Sequence, residues 1–133
     1  MALSLTVKKQ DNPLFIEFID AYWCVENINF STIDKQMYVS FNLNTYPSRE
    51  ARYKNLYPIE QTGEIPIGGA SKIAYDTTLR RWEATFRAID IFPEGIPMTE
   101  DEQKLILYEW IKDYTKLPFI DVFEDEEESE DLQ

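Results

Sequence analysis

The residue types best suited to catalysis are scarce in this chain. Cys24 is the only cysteine, and the sequence contains no histidine. A thiol attacks as its thiolate, and no imidazole is available here to take the proton, so we expect Cys24 to be a buried structural thiol. The same composition excludes an intramolecular disulfide, the usual zinc sites and any catalytic dyad based on histidine.

Carboxylates are abundant, but their densest cluster is poorly suited to acid–base catalysis. The net charge is −12, and residues 117–133 contain eight acidic groups and no basic one. The acidic run that begins with Glu124, Asp125 and Glu126 has no apolar residue to form a pocket that would raise one pKa. By itself such a run is expected to be disordered, and we expect the segment from Phe119 to Asp131 to lack structure in the single chain and to become ordered only in an assembly. It is a solubilising tail, a segment that docks on a basic partner surface, or a mimic of a phosphate backbone.

Other recognition motifs are weak or missing. Gly68-Gly69-Ala70-Ser71-Lys72 lacks the spacing of a phosphate-binding loop, so no nucleotide or other cofactor is expected. The basic residues near Arg80 and Arg81 are too few for a nucleic-acid footprint. No basic segment followed by a long apolar run begins the chain, and no apolar run approaches 18 residues. We therefore expect no enzyme, metal, cofactor, small-molecule substrate, nucleic acid or membrane association.

The most informative secondary-structure pattern covers Ala21 to Tyr46, which reads as a β-hairpin connected by Ser31 to Lys35. Its second arm alternates strictly, which predicts one buried and one wet face. The expected buried positions are Met37, Val39, Phe41, Leu43 and Thr45. In the first arm, both Trp23 and Cys24 would be covered because each face carries apolar groups.

The remaining chain gives shorter signals. We predict an opening strand from Leu3 to Val7 and a turn over residues 9–13. A second apolar run from Leu14 to Ile19 is expected to enter the hairpin through a bulge or bend at Asp20. Ser48 to Arg52 predicts one helical turn or an ordered loop. Asn55 to Ser71 predicts a long surface connection. The stretch from Ile73 to Phe92 fits both a strand and a helix by periodicity, and β-favouring residues lead us to predict a strand from about Trp82 to Ile91.

The clearest helix runs from Glu100 to Tyr114. Thr99 and Glu102 form a capping box, and Pro118 enforces the helix end. One side is apolar and comprises Ile106, Leu107, Trp110, Ile111 and Tyr114. The sequence therefore predicts an α+β fold, a small antiparallel β-sheet or open barrel with one C-terminal amphipathic helix. Residues 1–123 would form a single domain and residues 124–133 an acidic tail.

The order of these features resembles a family of known proteins. The resemblance rests on three segments and the acidic end that follows them. The segments are Tyr-Val-Ser-Phe-Asn-Leu-Asn-Thr-Tyr at 38–46, Ser-Arg-Glu-Ala-Arg at 48–52 and Leu-Tyr-Glu-Trp-Ile-Lys at 107–112. Together they are similar to the small structural proteins of tailed bacteriophages, found in the tail, baseplate or neck. The long connection from Asn55 to Ser71 departs from that pattern.

The resemblance implies a non-enzymatic virion subunit, made in the host cytoplasm, that works in a homo-oligomeric ring and contacts other virion proteins. The alternative is a soluble acidic binding or inhibitor protein that mimics nucleic acid. Identical subunits in a ring meet through two different patches, so we expect a basic patch to face an acidic segment. The expected contact residues are Arg49, Arg52, Arg80, Arg81, Phe119, Ile120, Val122, Phe123, Glu124, Asp125 and Glu126.

Overall fold

A computed structural model describes residues 2–54, 57–68 and 71–123. Seven strands form one sheet: β1 Ala2–Val7, β2 Phe18–Ile33, β3 Gln36–Tyr46, β4 Glu64–Gly68, β5 Ser71–Asp76, β6 Arg81–Arg87 and β7 Ile120–Val122. The helices are α1 Arg49–Tyr53, α2 Ala88–Ile91 and α3 Glu100–Thr115, with a 3₁₀ turn at Lys9–Asp11. The strand order is β4-β5-β6-β3-β2-β1-β7, and every pairing is antiparallel. The sheet curls into a half-barrel, which confirms the predicted fold class.

The hairpin β2–β3 is the centre of the sheet, as predicted, but its connection is shorter than expected. Ile33 pairs with Gln36, so only Asp34 and Lys35 lie between the strands, and both have positive φ (50° and 65°). Two central residues with positive φ match the right-handed twist of the flanking strands. The prediction of a five-residue connection from Ser31 to Lys35 is therefore wrong.

Two bulges decide which side chains of β2 enter the core. Register shifts and positive φ occur at Asp20 (50°) and at Asn27 (55°). Since an extra residue reverses the alternation, Trp23 and Val25 face the main core before Asn27, whereas Ile28 and Phe30 face it afterwards. The bulge predicted at Asp20 is confirmed, whereas the one at Asn27 was not anticipated.

Both faces of the central hairpin are covered at one end. The main core lies between the sheet and α3, and a smaller cluster of Ala2, Tyr22, Cys24, Tyr46 and Ala51 lies on the other face under α1. This confirms that each face of β2 is buried. The wet face predicted for β3 is wrong at that end, because Asn42, Asn44 and Tyr46 are buried, while Met37 is 41% exposed.

Several predicted boundaries change. Strand β2 starts only at Phe18, so Leu14 to Glu17 is not strand. The surface connection from Asn55 to Ser71 instead contains β4, which pairs with β5, and it buries Ile59, Ile65 and Ile67. The strand predicted from Trp82 to Ile91 ends at Arg87, where α2 begins. The apolar residues of 82–91 fit both the strand period and the helix period locally, so pairing with the neighbouring strands decides where the strand ends and the helix begins.

Helix α3 is confirmed as predicted, one residue longer at its end. Thr99 Oγ1 accepts a hydrogen bond from the Glu102 amide at 3.3 Å, which satisfies one free amide of the first turn. The buried stripe is rotated from the expected one, since Tyr108 and Thr115 are buried while Tyr114 is 50% exposed. The Tyr108 hydroxyl accepts a hydrogen bond from the Val25 amide at 2.7 Å. The helix therefore supplies the hydrogen-bond partner of a backbone amide in β2.

Candidate functional site

Arg49 and Arg52 lie on α1, which forms because Ser48 Oγ accepts a hydrogen bond from the Ala51 amide at 3.1 Å. Each guanidinium carbon lies 5.2 Å from the centre of the Tyr53 ring, within cation–π range. Arg52 also forms an ion pair with Glu26 of β2 at 3.3 Å. Glu26 therefore neutralises part of the positive charge that the arginines of α1 present.

The Glu26 carboxylate is the hub of a polar cluster between α1 and the hairpin. It accepts hydrogen bonds from the side chains of Asn44 and Arg52 and from the Cys24 thiol at 3.5 Å. Burial, and then the nearby Glu26 charge, raise the pKa of Cys24 from 9.0 to about 12. The same two causes raise the pKa of Tyr46 to about 12. At neutral pH both groups are protonated, so this cluster supplies hydrogen bonds and no nucleophile.

Arg80 lies in the turn between β5 and β6, and Arg81 is the first residue of β6. Arg80 is 3.9 Å from Glu60 and stacks over Tyr57 at 5.5 Å, and Arg81 pairs with Glu83 at 3.2 Å. The four predicted contact arginines therefore form two pairs on different elements, and each pair has acidic neighbours of its own.

The segment before the acidic tail packs on its own domain. Phe119 is buried edge-on against Trp23 at 5.3 Å, and Ile120–Val122 form β7 on the edge of β1. Lys112 secures this strand through an ion pair with Asp121 at 2.8 Å. The expectation that residues 119–131 lack structure in the single chain is therefore wrong for 119–122. Ile120 and Phe123 are exposed, and Glu124, Asp125 and Glu126 lie outside the described residues.

An exposed apolar patch was missed by sequence reasoning. It consists of Leu14, Phe15, Ile16 and Ile19, whose exposed fractions are 66%, 72%, 47% and 70%. From the sequence we expect residues 14–19 to form an apolar run that continues into the hairpin, and we do not predict that these side chains are exposed. The available signal was the Asp11-Asn12-Pro13 turn directly before it, which halts β-structure and leaves the apolar residues without a partner strand.

The buried side chain of Asn12 builds the loop that carries this apolar patch. Its amide nitrogen donates to the carbonyl oxygens of Lys8 at 3.0 Å and Ile16 at 2.6 Å. Its side-chain oxygen accepts from the amides of Leu14 at 3.1 Å and Ile16 at 3.3 Å. Asn12 is only 3% exposed, so the loop is ordered by an internal network while its apolar side chains point to solvent.

A second feature is a cleft of about 440 Å³, which we name the seam cleft. Residues of β1 and β4 line it together with Ile120 of β7, and within the described part of the chain β4 pairs with neither β1 nor β7. Trp23 and Trp82 contribute to its wall, with their rings stacked at 6.2 Å. Asp11, Asp20, Glu64 and Lys8 supply charged groups to the lining.

A second cavity, of about 460 Å³, lies over the polar side chains of β2, β3 and β6. Asn27 donates to the Asn42 side-chain oxygen there at 3.0 Å. Within the described ranges, no group of three or more metal-ligating side chains is found, and no helix combines the length and apolar character required to cross a bilayer.

Comparison with known proteins adds no assignment. No family model matches the chain, no curated protein matches it, and no solved structure matches it. The surfaces described above are therefore the basis for a functional proposal.

Proposed function

We propose that this chain is a non-enzymatic structural subunit that acts through protein–protein contacts, as a component of a phage tail, baseplate or neck. The observation that supports this most is the apolar patch, because four large side chains within six residues remain in solvent, three of them on the loop that Asn12 orders and Ile19 at the start of β2. Exposed apolar patches of this kind are typical of interaction surfaces. Ordering the loop in advance lowers the entropy lost on binding.

The alternative of a nucleic-acid mimic has less support. A mimic needs unpaired acids spread over a folded face, whereas many acids of the described body pair with cations. Such pairs are Glu26–Arg52, Glu64–Lys72, Glu83–Arg81, Asp90–Arg87 and Asp121–Lys112.

The proposal is tested by native mass measurement of the protein, purified and in virion extracts. We expect the wild-type chain in particles, and we expect the double variant Leu14→Ser/Phe15→Ser to remain in the soluble fraction. The matched control is Leu79→Ser/Ile89→Ser, which removes two other exposed apolar side chains outside the patch. A wild-type chain that is absent from particles, or a patch variant that is incorporated as well as the control, would overturn the proposal.

A further inference from the structure

The second cavity, which we name the polar cavity, lies on the face of the sheet opposite the main core. Two cross-strand rows of side chains line it. Asn29, Ser40 and Thr85 lie opposite one another on β2, β3 and β6. Asn42 lies opposite Glu83 in the next row. Directly opposed residues are about 4.5–5.5 Å apart at Cβ, so each row brings its polar groups close together.

The bulge in β2 turns Asn27 towards this cavity. Glu26 and Asn27 are neighbours in sequence, and in a regular strand they would point to opposite faces. Here both contact side chains of the polar face, since Glu26 accepts from Asn44 and Asn27 donates to Asn42 Oδ1 at 3.0 Å. Bulges are over-represented next to active sites, where they re-aim a side chain.

Asn42 offers the cavity a fixed hydrogen-bond donor. Its side chain is only 8% exposed, and its carbonyl oxygen accepts from Asn27. Its amide nitrogen donates no hydrogen bond to any described residue. Because Asn27 holds the oxygen, the nitrogen on the other side of the amide group is left for an acceptor in the cavity. Leaving a largely buried donor unpaired is costly, so an acceptor that meets it is bound more strongly than at an exposed donor.

The charges that line the cavity compensate each other. Among the described lining residues the charged ones are Arg81 and Glu83, and Arg81 Nε lies 3.2 Å from Glu83 Oε1. The hydroxyls of Ser40 and Thr85 have no hydrogen-bond partner among the residues that the structure describes. A hydroxyl both donates and accepts, whereas the Asn42 nitrogen only donates. An ion finds no uncompensated charge here, and an uncharged ligand rich in hydroxyl groups can pair with all three groups.

Size and lining together define the class of ligand. A protein cavity of about 150 Å³ holds a benzene ring, so one of about 460 Å³ has room for a sugar ring. Ligand sites are usually lined by apolar side chains, whereas hydrogen bonds must hold the occupant of this one. We propose that the polar cavity binds the ring of a neutral sugar, as a ligand and not as a substrate, through Asn42, Ser40 and Thr85. This inference goes beyond the proposed function, and the cavity shares no residue with the apolar patch.

The experiment is a titration of the isotope-labelled full chain with sugars, followed by nuclear magnetic resonance. The probes are glucose, galactose, mannose and N-acetylglucosamine, each as the free sugar and as its methyl glycoside. We expect the side-chain amide signals of Asn42 to shift with at least one probe. The expected Kd is on the order of 1 mM, because a small ligand gains little free energy per atom. Binding of the methyl glycosides assigns the cavity to the end of a glycan, and binding of the free sugars alone assigns it to a monosaccharide.

Variants locate the binding in the cavity. Ser40→Ala/Thr85→Val removes both hydroxyls while nearly keeping the side-chain shapes, and it should raise Kd at least about tenfold. The matched control is Ser31→Ala/Thr32→Val, which makes the same changes at exposed positions of β2 that do not line the cavity, and its Kd should equal that of the wild type. Asn42→Asp keeps an acceptor for Asn27 but loses the free donor, so it should also weaken binding.

Thermal unfolding first shows which variants are folded, and if Asn42→Asp is not, the double variant decides alone. Three results would overturn the inference. The first is that no probe shifts the Asn42 signals at about 50 mM, far above the expected Kd. The second is that Ser40→Ala/Thr85→Val binds sugar as tightly as its control. The third is that acetate or inorganic phosphate shifts these signals at lower concentration than every sugar, which would make the cavity an anion site.

Discussion

At the scale of single residues, buried polar groups determine which surfaces the molecule presents. Asn12 holds Leu14 and Ile16 in a loop that exposes their side chains, because its amide satisfies backbone groups that a strand would otherwise pair. Glu26 joins α1 to the hairpin through Arg52 and Asn44. These residues stabilise particular backbone arrangements, and those arrangements determine which apolar side chains are exposed.

The burial of Cys24 leads to a prediction about alkaline stability. Its pKa is raised from 9.0 to about 12 by burial first and by Glu26 second. The unfolded thiol therefore ionises near pH 9 while the folded thiol stays protonated, so the contribution is complete below pH 9 and is lost as pH rises towards 12. One decade above the unfolded pKa, at pH 10, this lowers the free energy of unfolding by about 1.4 kcal/mol.

Urea unfolding at pH 8 and pH 10 measures the effect. Cys24→Ala should lose less stability between the two pH values than the wild type, by about that amount. Tyr46→Phe serves as the comparison, since the pKa of Tyr46 is raised from 10.0 to about 12. The effect of Tyr46 on stability therefore begins one pH unit higher than the effect of Cys24. An equal pH dependence in the wild type and Cys24→Ala would show that the thiol is not protected.

At the scale of elements, α3 completes the half-barrel. Trp110 packs its ring 4.7 Å from Phe86 of β6, and Tyr108 accepts from the Val25 amide of β2. The helix is thus bound to both sides of β3 in the sheet order. The following residues lead directly into Phe119 and β7, so the helix also sets the position of the last strand.

Trp110→Ala tests this placement. Trp110 is 7% exposed within the main core, so we expect the free energy of unfolding to fall by about 3–5 kcal/mol. Tyr114→Ala is the matched control on the same helix, because Tyr114 stacks on Trp110 at 5.2 Å but is half exposed. It should cost about 1 kcal/mol. Chemical denaturation measures both, and a loss below about 1 kcal/mol for Trp110→Ala contradicts the packing.

At the scale of the whole molecule, the charge is distributed unevenly. Residues 117–133 hold eight acids and no base, while Arg80 lies in the turn between β5 and β6 and Arg81 begins β6. If these arginines meet the acidic end of a neighbouring copy, that contact consists of exposed ion pairs and weakens as salt is added. Salt screens the charges of such pairs.

Charge reversal tests a contact through these arginines. Arg80→Glu/Arg81→Glu should reduce assembly at 0.05 M NaCl, and the difference from wild type should shrink at 0.5 M. The control Arg87→Glu/Lys104→Glu makes the same charge change at cations that also pair with acids, outside the expected contact. Thermal stability should change little in either variant, because exposed ion pairs contribute about 0–1 kcal/mol. Assembly of Arg80→Glu/Arg81→Glu that equals the wild type at low salt counts against a contact through these arginines.

The sequence alone determined the parts of the fold that depend on local interactions. The alternation of β1 and β3 and the Thr99 cap with its following amphipathic run were sufficient for a strand, a central hairpin and a C-terminal helix. Each of these signals acts over a few residues: side chains alternate every two residues in a strand, and a cap satisfies amides within one turn. The buried, protonated Cys24 also followed from composition.

Only the tertiary structure decided which apolar residues are buried. Ile65 and Ile67 enter the core because β4 pairs with β5, whereas Leu14 and Phe15 remain exposed because no strand lies opposite them. Phe119 is buried because α3 returns the chain to Trp23. The seam cleft is lined by β1 and β4, two strands that are distant in sequence and do not pair with each other among the described residues. Hydrophobicity drives burial of any of these side chains, but the partner surface comes from distant parts of the chain.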